Sequence, residues 1–96
     1  MIRHIVFFKF KEGVGEEDQN SLVSALEGLK AKISLVKELE VGKDVAGKPN
    51  SYDIALNSVF DNFDDVEAYA VHPDHVKVVE LVRELCESSA KVDFEF

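Results

Sequence analysis

The chain has 96 residues, a formal charge of −8 and a single cysteine, Cys86. That length fits one domain spanning residues 1–96. The acidic balance, with no basic stripe, argues against nucleic acid or an anionic membrane as partner, and one cysteine excludes an intrachain disulfide, so the expected location is cytoplasmic.

Met1 to Lys11 reads as a strand with Ile2, His4, Val6, Phe8 and Phe10 on one face and Arg3, Ile5, Phe7 and Lys9 on the other. Both faces are apolar in the middle, as expected of a central strand covered on both sides. The run lacks the small-residue cleavage site of a secretory leader, and no apolar stretch approaches the roughly 20 residues of a membrane span. "EGVGEED" turns the chain, and Glu16, Glu17 and Asp18 suit a helix N-terminus. Leu22, Leu26, Leu29, Ile33 and Val36 then form one helical stripe, with Gly28 inside it where close packing on a sheet would favour glycine.

"KELEVGKDV" reads as a second strand, with Leu39 and Val41 alternating against Glu38 and Glu40, and "GKPNS" as a loop. Ser51 to Phe60 is a third strand that places Tyr52, Ile54, Leu56, Ser58 and Phe60 on one face. Asn62, three residues before Asp65, caps a short helix from Phe63 to Ala70. Pro73 fits the first position of another helix, where its missing N–H would be unpaired anyway. Val78, Val79, Leu81, Val82, Leu85 and Cys86 give that helix a broad apolar face, and "KVDFEF" closes the chain as a strand with Val92, Phe94 and Phe96 opposite Asp93 and Glu95.

The order βαββαβ predicts an α+β, ferredoxin-like fold: a four-stranded antiparallel sheet with helices on one face. Ile5, Phe7, Ala55 and Val59 then look toward the uncovered face. The simplest cover is a second copy of the same sheet, which predicts a homodimer.

Two of the three histidines and one of the two tyrosines fall within "YAVHPDH", Tyr69 to His75. Together with "HIVFFKFKEG" at the start, "GKDV" after the first helix, "FDNFDDVEAYAVHPDH" and the closing "VDFEF", this stretch resembles the stress-responsive A/B-barrel family, also called the dimeric α/β-barrel or Dabb domain. The resemblance spans essentially the whole chain. It implies a homodimer whose sheets face one another as a barrel. The family includes plant stress-induced proteins, small bacterial proteins without assigned activity and a plant polyketide cyclase branch. In that branch a tyrosine and the second histidine of the motif serve the cyclisation; on this sequence they correspond to Tyr69 and His75, and the family's first-strand histidine corresponds to His4.

The chemistry of these residue types is compatible with such a role. His75 stands in the first turn of a helix, whose dipole disfavours imidazolium and helps keep the ring neutral. A neutral imidazole can take a proton near pH 7, while a tyrosine hydroxyl donates to the oxygen of a forming enolate. Val6, Phe8, Leu22, Leu26 and Leu56 are the candidate pocket walls. No cofactor is called for, and His72, Asp74 and His75 lack the i, i+4 histidine pair of zinc helices, so no metal is expected.

Plainer roles exist for every one of these residues. His72 before Pro73 suits a cap, His4 and Tyr69 suit a satisfied core, His75 could bond to either, and Cys86 suits packing. Two readings therefore stand side by side. One is a pocket for a small carbonyl or aromatic molecule with cofactor-free, cyclase-like acid–base chemistry. The other is a noncatalytic, self-associating, stress-related scaffold in which Phe8 fills the space. A haem or monooxygenase role rests on fold analogy alone, and the chain has no tryptophan.

Overall fold

The computed structural model describes all 96 residues. In chain order these form β1 (Ile2–Phe10), α1 (Glu16–Glu27), the single turn α2 (Leu29–Lys32), β2 (Glu38–Lys43), β3 (Ile54–Phe60), α3 (Phe63–Ala70), α4 (Pro73–Leu85) and β4 (Cys86–Glu95). The sheet order is β2-β3-β1-β4 and every neighbouring pair is antiparallel. This is the ferredoxin-like arrangement, with β1 central as its two apolar faces require. No helix is long and apolar enough to cross a membrane.

The core lies between sheet and helices. Ile2, Phe8 and Phe10 from β1 and Ile54, Leu56 and Phe60 from β3 meet the stripe Leu22, Leu26, Leu29, Ile33 and Val36, all of them buried. The stripe keeps its spacing, but the helix does not run through it. The chain breaks at Gly28, continues for one turn and ends at Ile33, whose extended backbone leads toward β2. Gly28 is not there for close packing on the sheet: a Cβ on it would meet only the carbonyl oxygens of Ser24 and Ala25, at 3.5 and 3.6 Å. Its φ of −72° and ψ of −15° suit any L-residue. Gly28→Ala should therefore raise stability by about 0.4–1 kcal/mol in denaturant melts, by reducing the freedom of the unfolded chain.

Two further expectations need correction. The final strand begins at Cys86, five residues before "KVDFEF", so Cys86 closes α4 and opens β4 without a loop. Ladder pairing with β1 organises Glu87, Ser88 and Ser89, which are poor strand formers by themselves, and a register shift beside Lys9 and Phe10 takes up the irregularity. Tyr52 does not share a face with Ile54. The ladder ends at the Phe8–Ile54 pair, the chain bends at Asp53, and the Asp53 carboxylate accepts from the Phe10 N–H at 2.8 Å. Tyr52 consequently lies against Phe7 on the open face, ring centroids 5.7 Å apart.

The open face is apolar across three strands. Ile5 pairs with Val92, Phe7 with Ala90 and Ala55, and Arg3 with Phe94 and Val59. Phe7, Val92, Phe94 and Phe96 are exposed, whereas Val59 is buried within the single chain. The Arg3 guanidinium lies over the Phe96 ring, 4.4 Å from its centroid.

Candidate functional site

Three elements supply the site's polar groups. His4 points from β1 toward the helices and is buried. Tyr69 stands one residue before the end of α3, a helix whose start is fixed by the Asn62 side chain accepting from the Asp65 N–H at 2.9 Å. His75 is the third residue of α4. That helix begins at Pro73 behind an extended His72, as the steric demand of proline on its predecessor dictates. His72 Nδ1 accepts from the Asp74 N–H at 3.1 Å, so His72 caps the helix.

The bend between α3 and α4 folds Tyr69 and His75 together. Their ring centroids are 4.3 Å apart, and His4 stands edge-on to Tyr69 at 6.1 Å, with Phe60 against Tyr69 at 4.9 Å. His72, Asp74 and His75 do not form a metal site; no group of three His, Cys, Asp or Glu side chains is placed to hold an ion.

Hydrogen bonding assigns each ring a chemical form. His75 Nδ1 lies 3.0 Å from the Ala70 carbonyl oxygen. A carbonyl can only accept, so Nδ1 carries the proton and, in the neutral ring, Nε2 keeps a free lone pair. Burial holds the His75 pKa below the ordinary histidine value; the Ala70 hydrogen bond opposes this, and the charges of His4, His72 and Lys91 add to the lowering. His4 Nδ1 is 2.5 Å from Asp93 Oδ1, which fixes the ring. Ser58, fully buried, donates to the His4 carbonyl oxygen at 3.2 Å. Burial pushes the Tyr69 pKa well above the ordinary phenol value, so the hydroxyl stays protonated. It is a buried donor with no protein partner.

These groups line one end of a cavity of about 200 Å³ between the sheet and α3 and α4. Val6, Phe8, Leu26 and Leu56 form its apolar walls. Phe8 stands on the wall and does not fill the space. Leu22 is not on the wall: it lies one helical turn before Leu26 and is sealed in the core. Val66 extends the lining, as do Val78 and Val82 from the apolar face read for the last helix. A wider depression of about 430 Å³ beside Phe7 and Tyr52 belongs to the open face and holds none of the three polar groups.

Asp93 was missed by sequence reasoning. The alternation of "VDFEF" could have found it, because pairing Ile5 with Val92 on the open face turns Asp93 inward, opposite His4.

The lowered His75 pKa has a consequence for stability. The unfolded chain takes up a proton on this residue at higher pH than the folded chain. Its contribution is thus fully present above the unfolded value of about 6.5 and is lost as pH falls through the lower folded value. His75→Asn should flatten the stability curve below neutrality, measured by denaturant midpoints at a series of pH values.

Comparison with known proteins agrees with the fold. A dimeric protein of unknown function with a ferredoxin-like fold from Bacteroides fragilis is 44% identical, covering 99% of this chain and 95% of that one with a TM-score of 0.85. Olivetolic acid cyclase of Cannabis sativa is 24% identical over 95 residues, which are 97% of this chain and 94% of the cyclase. The hydroxynitrile lyase of Passiflora edulis shares the fold, with a TM-score of 0.87 at 18% identity over 97% of this chain and 90% of its own. The model of the stress responsive A/B barrel domain matches residues 2–96, and the chain belongs to that family.

Proposed function

We propose that the protein is a homodimer that binds a small carbonyl compound in the cavity between sheet and helices and moves a proton next to its carbonyl group without a cofactor. The observation that carries this reading is the pairing of a bare His75 Nε2 with an unpartnered Tyr69 hydroxyl on one cavity wall. A buried donor without a protein partner costs free energy, and a polar ligand group would satisfy it.

The chemistry follows from the two groups. His75 Nε2 accepts a proton from the carbon next to the carbonyl, and the C–H electron pair moves through the carbon to the carbonyl oxygen. The Tyr69 O–H donates a hydrogen bond to that oxygen as its charge develops. His4, held by Asp93, presents a second polar edge for orienting the oxygen. The enolate carbon can then attack a second carbonyl carbon in the same molecule, closing a ring, and the alkoxide so formed takes the proton back from the His75 imidazolium. The relation to olivetolic acid cyclase supports a ring-closing step. The fold alone selects no reaction, since a cyclase and a hydroxynitrile lyase both carry it.

The cavity size limits the substrate. A dry cavity of about 150 Å³ takes one benzene molecule, so about 200 Å³ takes a single ring or a short acyl chain. The open space also weighs against the filled scaffold. The test is exchange of the central protons of acetylacetone for deuterium, followed by proton NMR in heavy water. The protein should accelerate it catalytically above a matched buffer blank; an exchange rate equal to the blank would contradict the reading.

A further inference from the structure

The β4 side of the cavity does not match its apolar walls. Phe8 pairs with Ser89 and Val6 with Lys91, and both β4 side chains reach the cavity lining. Lys91 is the one lysine or arginine among the residues that line this cavity, and it takes part in none of the three ion pairs. The nearest acid along its strand on the same face, Asp93, is engaged by His4. A lysine outside every ion pair thus stands at the exposed edge of a cavity whose lining also holds the buried Tyr69 hydroxyl.

Resting on the reading of this cavity as the substrate pocket, we infer that its substrate carries a carboxylate: a small oxo acid, with the carboxylate at Lys91 and Ser89 and the keto oxygen at the Tyr69 hydroxyl. The strand repeat places Lys91 about 7 Å along from Asp93, the partner of the His4 ring that stands edge-on to Tyr69. The charge serves orientation as well as affinity. An anchored carboxylate fixes which carbon lies under His75 Nε2, which a purely apolar wall would leave free to slide. Lys91 is among the charges that bear on the His75 ring, so an anion bound there would also offset a repulsion that disfavours imidazolium during proton transfer.

Acetoacetate and acetylacetone test this, because they have the same number of heavy atoms and differ by one charged oxygen in place of a methyl group. Both are titrated calorimetrically into wild type, Lys91→Met and Lys91→Gln, with melting curves to show that the exposed substitutions leave the fold intact. Wild type should bind acetoacetate roughly two- to fivefold more tightly than acetylacetone, the scale of one solvated charge pair. Both variants should lose that preference while keeping their affinity for acetylacetone. Equal affinities in wild type, or a preference that survives both substitutions, would overturn the carboxylate inference. If acetylacetone still binds in that case, the pocket itself stands. If neither compound binds, the pocket reading and the inference fall together.

Discussion

Phe7→Glu should convert a dimer at micromolar concentration into a monomer, seen as a halving of the sedimenting mass. Phe7 sits at the middle of the central strand on the open face, flanked by Tyr52, Ala55 and Ala90. Exposed Val92, Phe94 and Phe96 extend the apolar surface along β4. Such a continuous face is a site of association, and the Bacteroides fragilis relative is dimeric. A two-fold axis would bring two introduced carboxylates into one dry interface. Burying an unpaired charge costs several kcal/mol. A micromolar dimer is held by about 8 kcal/mol, and each 1.4 kcal/mol is tenfold in affinity. Association should therefore weaken a thousandfold or more, into the millimolar range. The buried helix-side core is untouched, so the monomer should keep its circular dichroism spectrum.

Tyr69→Phe should separate function from stability. Its hydroxyl has no protein partner, so the change orphans no other group. This is unlike His4, whose removal would leave Asp93 unpaired. Stability should stay within about 1 kcal/mol of wild type, or rise, in place of the loss of about 1–3 kcal/mol that follows when a satisfied buried hydrogen bond is broken. Proton exchange on the carbonyl probe should nevertheless fall by roughly a hundredfold or more, the scale for losing one donor to a developing oxyanion. A clear drop in denaturant midpoint with exchange unchanged would mean that Tyr69 is a packing residue.

The fold was legible because its signals are local and agree with one another. Alternation in β1, the Leu22-to-Val36 stripe, the Asn62 cap and Pro73 at the start of α4 each name an element independently. What sequence reasoning missed depends on partners distant in the chain. β4 extends back to Cys86 only because β1 supplies the ladder for Ser88 and Ser89. Tyr52 changes face because Asp53 bonds to the Phe10 backbone, 43 residues away. The polar trio was readable as residue types, and Pro73 explained how Tyr69 and His75 could meet. Asp93 was legible only as one side of the "VDFEF" alternation, and the β1–β4 register is what sets it opposite His4 and puts Lys91 in the cavity lining.

The most direct test is nitrogen-15 NMR of the protein labelled at histidine, with acetylacetone added stepwise. If the cavity is the binding site, the His75 Nε2 resonance starts at the position of a bare imidazole nitrogen and shifts saturably, and Tyr69→Phe weakens the response. A His75 signal that starts as a protonated or donating Nε2, or that stays fixed throughout the titration, would contradict the account.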